Sequence, residues 1–356
     1  MSIRLLSFLF PAVFICSTSI AQTVSGDYSI PGFTFHTGET TLPVLKLHYV
    51  TLGQPRNNQQ GQVSNAVLIL HGTGSRGRNF LTPSFAGVLF GPGKLLDTNK
   101  YYIILPDGIG HGGSSKPSDS LHMRFPHYNY DDMVKACHLL LTRHLHVDHL
   151  RLILGTSMGA MHAWMFGYTY PKYCDALLPL ASLPVAIAGR NRMMRKQAIR
   201  LIEMDPAWKN GEYSAEPLQG LAGASSSLFF MNSSPLQLQK KAPTREAADQ
   251  LLAAMEKGYL SSLDANDLIY QLDASRDYDP SPWLSKIKAT VYAINSADDQ
   301  INPPELGIME KEIKKVPKGK YILLPITEKT VGHGTNSLPA IWGEDLAQLL
   351  VATNKN

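Results

Sequence analysis

Gly155-Thr156-Ser157-Met158-Gly159 follows an apolar run, Leu152-Ile153-Leu154, and opens a pattern that predicts a helix from Met158 to Tyr168. A serine at a strand-to-helix turn sits on a strained backbone that lifts its Oγ above the sheet edge. The flanking glycines remove Cβ atoms that would collide with the adjoining strand and helix. The helix start directs free amides and a positive dipole end at developing negative charge. A neutral serine is a weak nucleophile, so it needs a base held in place by a third group. Beyond Thr290 the chain has one histidine, His333, in Val331-Gly332-His333-Gly334. It follows the apolar run Tyr321 to Leu324, where a base would stand near the strand ends. The run Thr290 to Ile294 ends in Asn295-Ser296-Ala297-Asp298-Asp299, which offers two carboxylates. Asp299, four residues before Pro303, is the preferred acid, and Asp298 is read as a solvated loop carboxylate. The oxyanion donors expected are the amides of Met158 and of Thr73, the latter in His71-Gly72-Thr73. His71 is expected to brace that loop. The chemistry implied is attack of Ser157 on an acyl carbonyl.

These residues need a rigid sheet beneath them. Ala66 to Leu70, Tyr101 to Leu105, Leu152 to Leu154, Ala176 to Leu180, Thr290 to Ile294 and Tyr321 to Leu324 are continuous apolar runs closed by turn residues. Such runs suit strands buried on both faces. Helical patterns cover Tyr130 to His144, Met158 to Tyr168 and Pro339 to Ala352, the last opening on a proline suited to a first helical position. Alternation of this kind implies an α/β fold with a doubly wound, mostly parallel sheet. Tyr28 to Leu52 alternates more strongly and suits an antiparallel lead-in. Residues 183–285 carry no buried strand pattern but helical pieces, Arg190 to Glu203 and Arg245 to Lys257. A bare loop of that length is excluded in a compact domain, so an inserted helical cap is expected. Core segments then occupy 22–182 and 286–356. Arg190 and Arg192, on the cap, are candidates for binding a substrate carboxylate.

The 356 residues are 44% hydrophobic and 17% charged, an ordinary globular composition. Lys plus Arg is 33 and Asp plus Glu is 29. The small surplus, without a basic run, gives no support to a nucleic-acid face. Arg4, the apolar stretch Leu5 to Cys16 and the small residues of Ser19-Ile20-Ala21 before Gln22 read as a signal peptide over 1–21. The stretch falls short of the roughly 20 residues a membrane helix needs, so a secreted or periplasmic protein with no membrane span is expected. Cys137 and Cys174 are expected as two buried thiols. No metal-ligand spacing appears, and no cofactor is expected.

A wider set of motifs runs through the mature chain: Phe125-Pro126 with Asp131-Asp132-Met133-Val134, Gly155 to Met161, Tyr170-Pro171, Arg190-Asn191-Arg192, Ala198-Ile199-Arg200, Asp205-Pro206-Ala207-Trp208 with Gly211 and Tyr213, and Asp299 to Pro304. With these the sequence resembles the homoserine O-acetyltransferase branch of the α/β-hydrolase superfamily. The resemblance implies the α/β-hydrolase fold, a triad of Ser157, Asp299 and His333, a helical lid over an acyl-transfer tunnel, a small-molecule acyl substrate and a homodimer. The sequence departs from that branch at Gly110 to Ser118, where the transferases carry Gly-Ser-Thr-Gly-Pro, and at Ala160, where they usually carry glycine. An exported enzyme does not meet acetyl-CoA, a cytoplasmic donor. The function expected is therefore exported hydrolysis of an ester or related acyl compound through an acyl-enzyme on Ser157. An O-acyltransferase is the alternative, and a binding protein on the same fold a third reading.

Overall fold

The computed structural model describes residues 22–38 and 42–354, and the leader expected over 1–21 lies outside them. The chain enters through two strands, β1 (Val24–Pro31) and β2 (Val44–Leu52), and then alternates: β3 (Ala66–Leu70), the single turn α1 (Ala86–Leu89), β4 (Tyr102–Pro106), α2 (Tyr130–Leu139), β5 (Leu152–Thr156), α3 (Met158–Thr169) and β6 (Ala176–Leu180). Five helices follow: α4 (Gly189–Met204), α5 (Leu218–Asn232), α6 (Pro235–Lys241), α7 (Arg245–Leu260) and α8 (Ala265–Asp273). The chain returns through β7 (Thr290–Ser296), α9 (Ile308–Glu312), β8 (Gly319–Leu324) and α10 (Pro339–Ala352). The strand order is β1-β2-β4-β3-β5-β6-β7-β8. β1 and β2 pair antiparallel, β2 runs antiparallel to β4, and every later pairing is parallel.

The period of two along a strand explains the double winding. On β3, Ala66, Leu68 and Leu70 join the core that holds Trp164 and Phe166 of α3. Val67 and Ile69 join the opposite core, with Phe85, Phe90 and Trp342. Both faces are thus covered, and β3, β4, β5 and β6 are buried along their whole length. β8 differs from the expectation. It closes the sheet edge, and only Leu324 is buried in it, because it has a neighbour on one side alone.

The excursion between β6 and β7 is helical, as its sequence implied. Two of its helices carry little sequence signal. α5 is rich in small residues, Gly220, Ala222, Gly223 and Ala224 followed by three serines, which pack closely without an apolar stripe. Gly220 abuts the α4 backbone: a Cβ there would stand 2.7 Å from the Leu201 carbonyl. α8 is short and starts on Asp264, whose carboxylate accepts the Asp267 amide at 2.9 Å. Both expected thiols, Cys137 and Cys174, are buried and unpaired, and burial pushes the Cys137 thiol up to about 12. No helix among the described residues is long and apolar enough to cross a membrane.

Candidate active site

Ser157 stands between β5 and α3 with φ 52° and ψ −112°, a region L-residues avoid and functional sites tolerate. Its amide donates to the Leu180 carbonyl on the neighbouring strand at 2.9 Å. The elbow fits because nothing protrudes beside it. A Cβ on Gly155 would stand 2.1 Å from the Gly159 carbonyl oxygen, and one on Gly159 equally close to that of Leu70. Either substitution would push the serine off its position.

Ser157 Oγ lies 2.8 Å from His333 Nε2, and His333 Nδ1 lies 2.8 Å from Asp299 Oδ2. An ionised carboxylate only accepts, so Nδ1 carries the imidazole proton and Nε2 is left to accept from the serine. Asp299 is 1% exposed. Its Oδ1 accepts from the amides of Ile301 and Asn302, and its Oδ2 from the Asn302 side chain. Burial pushes its pKa upward, but the electrostatic interaction with the His333 ring and these hydrogen bonds prevail and hold it below the usual carboxylate value. Asp299 therefore stays charged where it is needed.

Asp298 is not the solvated carboxylate expected. Its Oδ2 accepts the Gly332 amide at 3.0 Å, and its Oδ1 accepts from the Ser296 hydroxyl at 2.5 Å. The turn after β7 sends the two adjacent carboxylates to different tasks. One touches the imidazole, and the other ties down the loop that carries it. Asn302 was not singled out from the sequence, yet it bridges the Asp299 carboxylate and the Ala181 carbonyl at the end of β6. Its place in Asp299 to Pro304 was the available signal.

His71 braces its loop as expected. Its Nδ1 donates to the Gly72 carbonyl at 2.8 Å, and its Nε2 accepts the Gly108 amide at 2.9 Å. Because the peptide is trans, the Thr73 N–H points opposite to the Gly72 carbonyl, away from His71. Met158 opens α3, so its amide is among the orphan donors of a helix start. Thr73 and Ser157 line one cavity of about 550 Å³.

The helices between β6 and β7 cover this cavity with Met194 and Arg195 from α4, Leu228 from α5, Tyr259 from α7 and Leu272 from α8. The structure does not bring Arg190 or Arg192 to it. Arg190 is exposed, donates to the Gln300 carbonyl and borders a separate apolar cavity of about 350 Å³. Arg192 is partly exposed and lines neither cavity. The helical period explains this: the buried face of α4 is Met194, Arg195, Ala198, Ile199 and Ile202. Arg195, 4% exposed, is the arginine that reaches the cavity, held by Asn191 Oδ1 and the Ser275 hydroxyl. Its position on an otherwise apolar stripe was the signal passed over. Among the described residues, no group of three or more His, Cys, Asp or Glu side chains is placed to hold a metal ion.

A second serine–histidine–aspartate chain lies at the sheet edge. Ser25 Oγ is 3.0 Å from His48 Nε2, and His48 Nδ1 is 2.6 Å from Asp27 Oδ1. It arises from strand register: Asp27 pairs with His48 across β1 and β2, and Ser25 shares the face of Asp27.

The sequence matches the alpha/beta hydrolase fold family over residues 65–328. The chain belongs to that family. Within the α/β-hydrolases it is similar to a homoserine O-acetyltransferase from Geotalea uraniireducens, 29% identical over 76% of this chain and 82% of that one. It is also similar to a probable acyltransferase from Methanothermobacter thermautotrophicus, 26% identical over 87% of this chain and 93% of the other. An acetylester hydrolase from Corynebacterium glutamicum shares the fold with a TM-score of 0.80 at 21% identity, covering 92% of this α/β-hydrolase and 96% of its own chain.

Proposed function

We propose that this α/β-hydrolase is an exported enzyme that cleaves an ester or related acyl compound through an acyl-enzyme on Ser157. The observation that carries the reading is the unbroken hydrogen-bonded chain from Ser157 through His333 to the buried Asp299, opening on a cavity large enough for a small molecule. In the first half-reaction Ser157 Oγ attacks the carbonyl carbon and its proton passes to His333 Nε2. The Met158 and Thr73 amides receive the oxyanion; a donor of this kind typically contributes about 10²–10³ in rate. Asp299 stays ionised and stabilises the imidazolium. His333 then protonates the leaving oxygen. In the second half-reaction it takes a proton from water, which attacks the acyl carbon and frees Ser157.

A second reading, transfer of the acyl group to an alcohol, is favoured by the names of the curated relatives, which are acyltransferases. Both readings use the same serine, base and acid and differ only in the acceptor. Export, argued from Arg4 to Ala21, tips the balance to water. Purified mature protein is to be assayed with 4-nitrophenyl acetate and, separately, with acetyl-CoA plus homoserine. Ester turnover that disappears in Ser157→Ala is the expected result. Acetyl transfer to homoserine without ester turnover would overturn the ranking. Expression of the full chain should yield a secreted or periplasmic product beginning at Gln22, read by mass spectrometry. Retention of an intact leader in the cytoplasm would remove the argument from export.

A further inference from the structure

Beside the Ser157 cavity lies a second chamber of about 420 Å³. The two share a wall, with Gly74, Ser75 and Asn79 on one side and Leu263 and Leu268 on the other. A substrate whose reacting carbonyl sits at Ser157 therefore has its remainder within reach of this chamber. In the Ser157 cavity the cap contributes Leu228, Leu263, Leu268 and Leu272, and Arg195 is the one arginine or lysine of its lining. The second chamber has a different chemistry: Arg76, Lys116, Asp264, Asp267, Asn79 and Gln271 all border it.

The charged side chains in that wall each have a hydrogen-bond or ion-pair partner. Lys116 pairs with Asp119, and Arg76 Nε donates to Asn79 Oδ1 at 3.4 Å. Asp264 caps α8 through the Asp267 amide. Asp267 accepts from the Ser118 amide at 2.9 Å and the Ser118 hydroxyl at 2.8 Å. Burial, with the nearby charge of Asp264, raises Asp267 to about 7. Two cations and two carboxylates face one space, so an ionic ligand would meet a like charge along with its partner. What is left unmet is hydrogen bonding. Gln271 is 8% exposed and its Nε2 donates to the Gly110 carbonyl at 2.7 Å, yet its Oε1 is buried without a partner. That oxygen lies 4.0 Å from where a Cβ on Gly74 would stand, at the wall the two chambers share. A buried acceptor with no donor calls for an O–H or N–H from a ligand.

We propose that this chamber is the subsite for the alcohol portion of the substrate, and that this alcohol is neutral and polyhydroxylated, as sugars are. Hydroxyls both donate and accept, so they satisfy Gln271 Oε1 and the carboxylates as well as Asn79 and Arg76. The inference rests on the ester-hydrolase reading. When the ester C–O bond breaks, His333 delivers its proton to the sugar oxygen, and the freed alcohol occupies the polar chamber. The acyl group remains on Ser157 until water releases it as the carboxylic acid.

The test compares three acetates of one acyl group: 6-O-acetylglucose, hexyl acetate and zwitterionic O-acetylhomoserine. The wild type should show a kcat/KM for 6-O-acetylglucose at least tenfold above that for either other ester. Gln271→Leu should lower the ratio of sugar ester to hexyl ester at least tenfold. Asn79→Ala, at an exposed position that does not threaten folding, should lower it at least threefold. Preference for hexyl acetate or O-acetylhomoserine, or a ratio unmoved in both variants, overturns the proposal. Binding separates its failure from that of the hydrolase reading. Saturation-transfer NMR of Ser157→Ala with 6-O-acetylglucose should show contact that weakens in Ser157→Ala/Asn79→Ala. Binding without turnover in the wild type would sink the hydrolase reading and support the subsite. Turnover of 4-nitrophenyl acetate without sugar-ester binding would do the reverse.

Discussion

Ser157–His333–Asp299 and Ser25–His48–Asp27 have the same atoms in the same order, with every link between 2.6 and 3.0 Å. Their surroundings separate them. Ser157 is forced to positive φ at an elbow, whereas Ser25 lies in regular strand. Asp299 is fully enclosed and takes further hydrogen bonds from Ile301 and Asn302, whereas the Asp27 side chain is 50% exposed beside a 28% exposed His48. An exposed pair is screened by water and is worth only about 0–1 kcal/mol. The inner chain faces a cavity; the edge chain lines none of the cavities described. Connectivity alone is thus a poor mark of catalysis. A dry, hydrogen-bonded acid and a place for substrate are what the inner chain has and the edge chain lacks, and on these the proposed catalytic role rests.

The comparison can be broken in steps. Ser157→Ala should lower kcat for 4-nitrophenyl acetate by at least about 10⁴-fold, the scale at which a triad serine acts. Ser25→Ala should leave it unchanged, and a tenfold loss there would undo the contrast. Asp299→Asn should cost about 10³–10⁴-fold in kcat, since it removes the acceptor that fixes the imidazole tautomer. Asp27→Asn is its control and should cost nothing measurable. Asp299 also has a stability signature. Its folded pKa is depressed, so its contribution is present above the ordinary carboxylate pKa and is lost as pH falls through the folded value. The gap in Tm between wild type and Asp299→Asn should therefore be open at neutral pH and shrink below about pH 4. A gap that widens on acidification would contradict the assignment. Asp298→Ala, which frees the Gly332 amide, should lower kcat by about tenfold through a loosened His333, the range of a positioning group. If it proves more damaging than Asp299→Asn, the acid has been misassigned. Ser25→Ala should shift stability by no more than about 0.5 kcal/mol.

The strands were legible because Ala66 to Leu70 and Ala176 to Leu180 are buried on both faces and therefore apolar throughout. The elbow was legible because close approach to Leu70 and between residues 155 and 159 leaves room only for glycine. His333 could be picked out because no other histidine follows Thr290. The edge chain was not visible, since it depends on the register of β1 against β2, which residue order does not state. The task of Asp298 was hidden for a similar reason: neighbouring carboxylates on one turn look alike until the loop bearing Gly332 is placed. Arg190 and Arg192 attracted attention as charges, although the helix turns them outward and buries Arg195.

The most direct measurement is labelling with a fluorophosphonate probe followed by peptide mapping of the intact, mature protein. A single adduct on Ser157, with Ser25 unmodified and labelling abolished in His333→Ala, is the predicted result. An unlabelled Ser157, or an adduct carried by Ser25, would contradict the account.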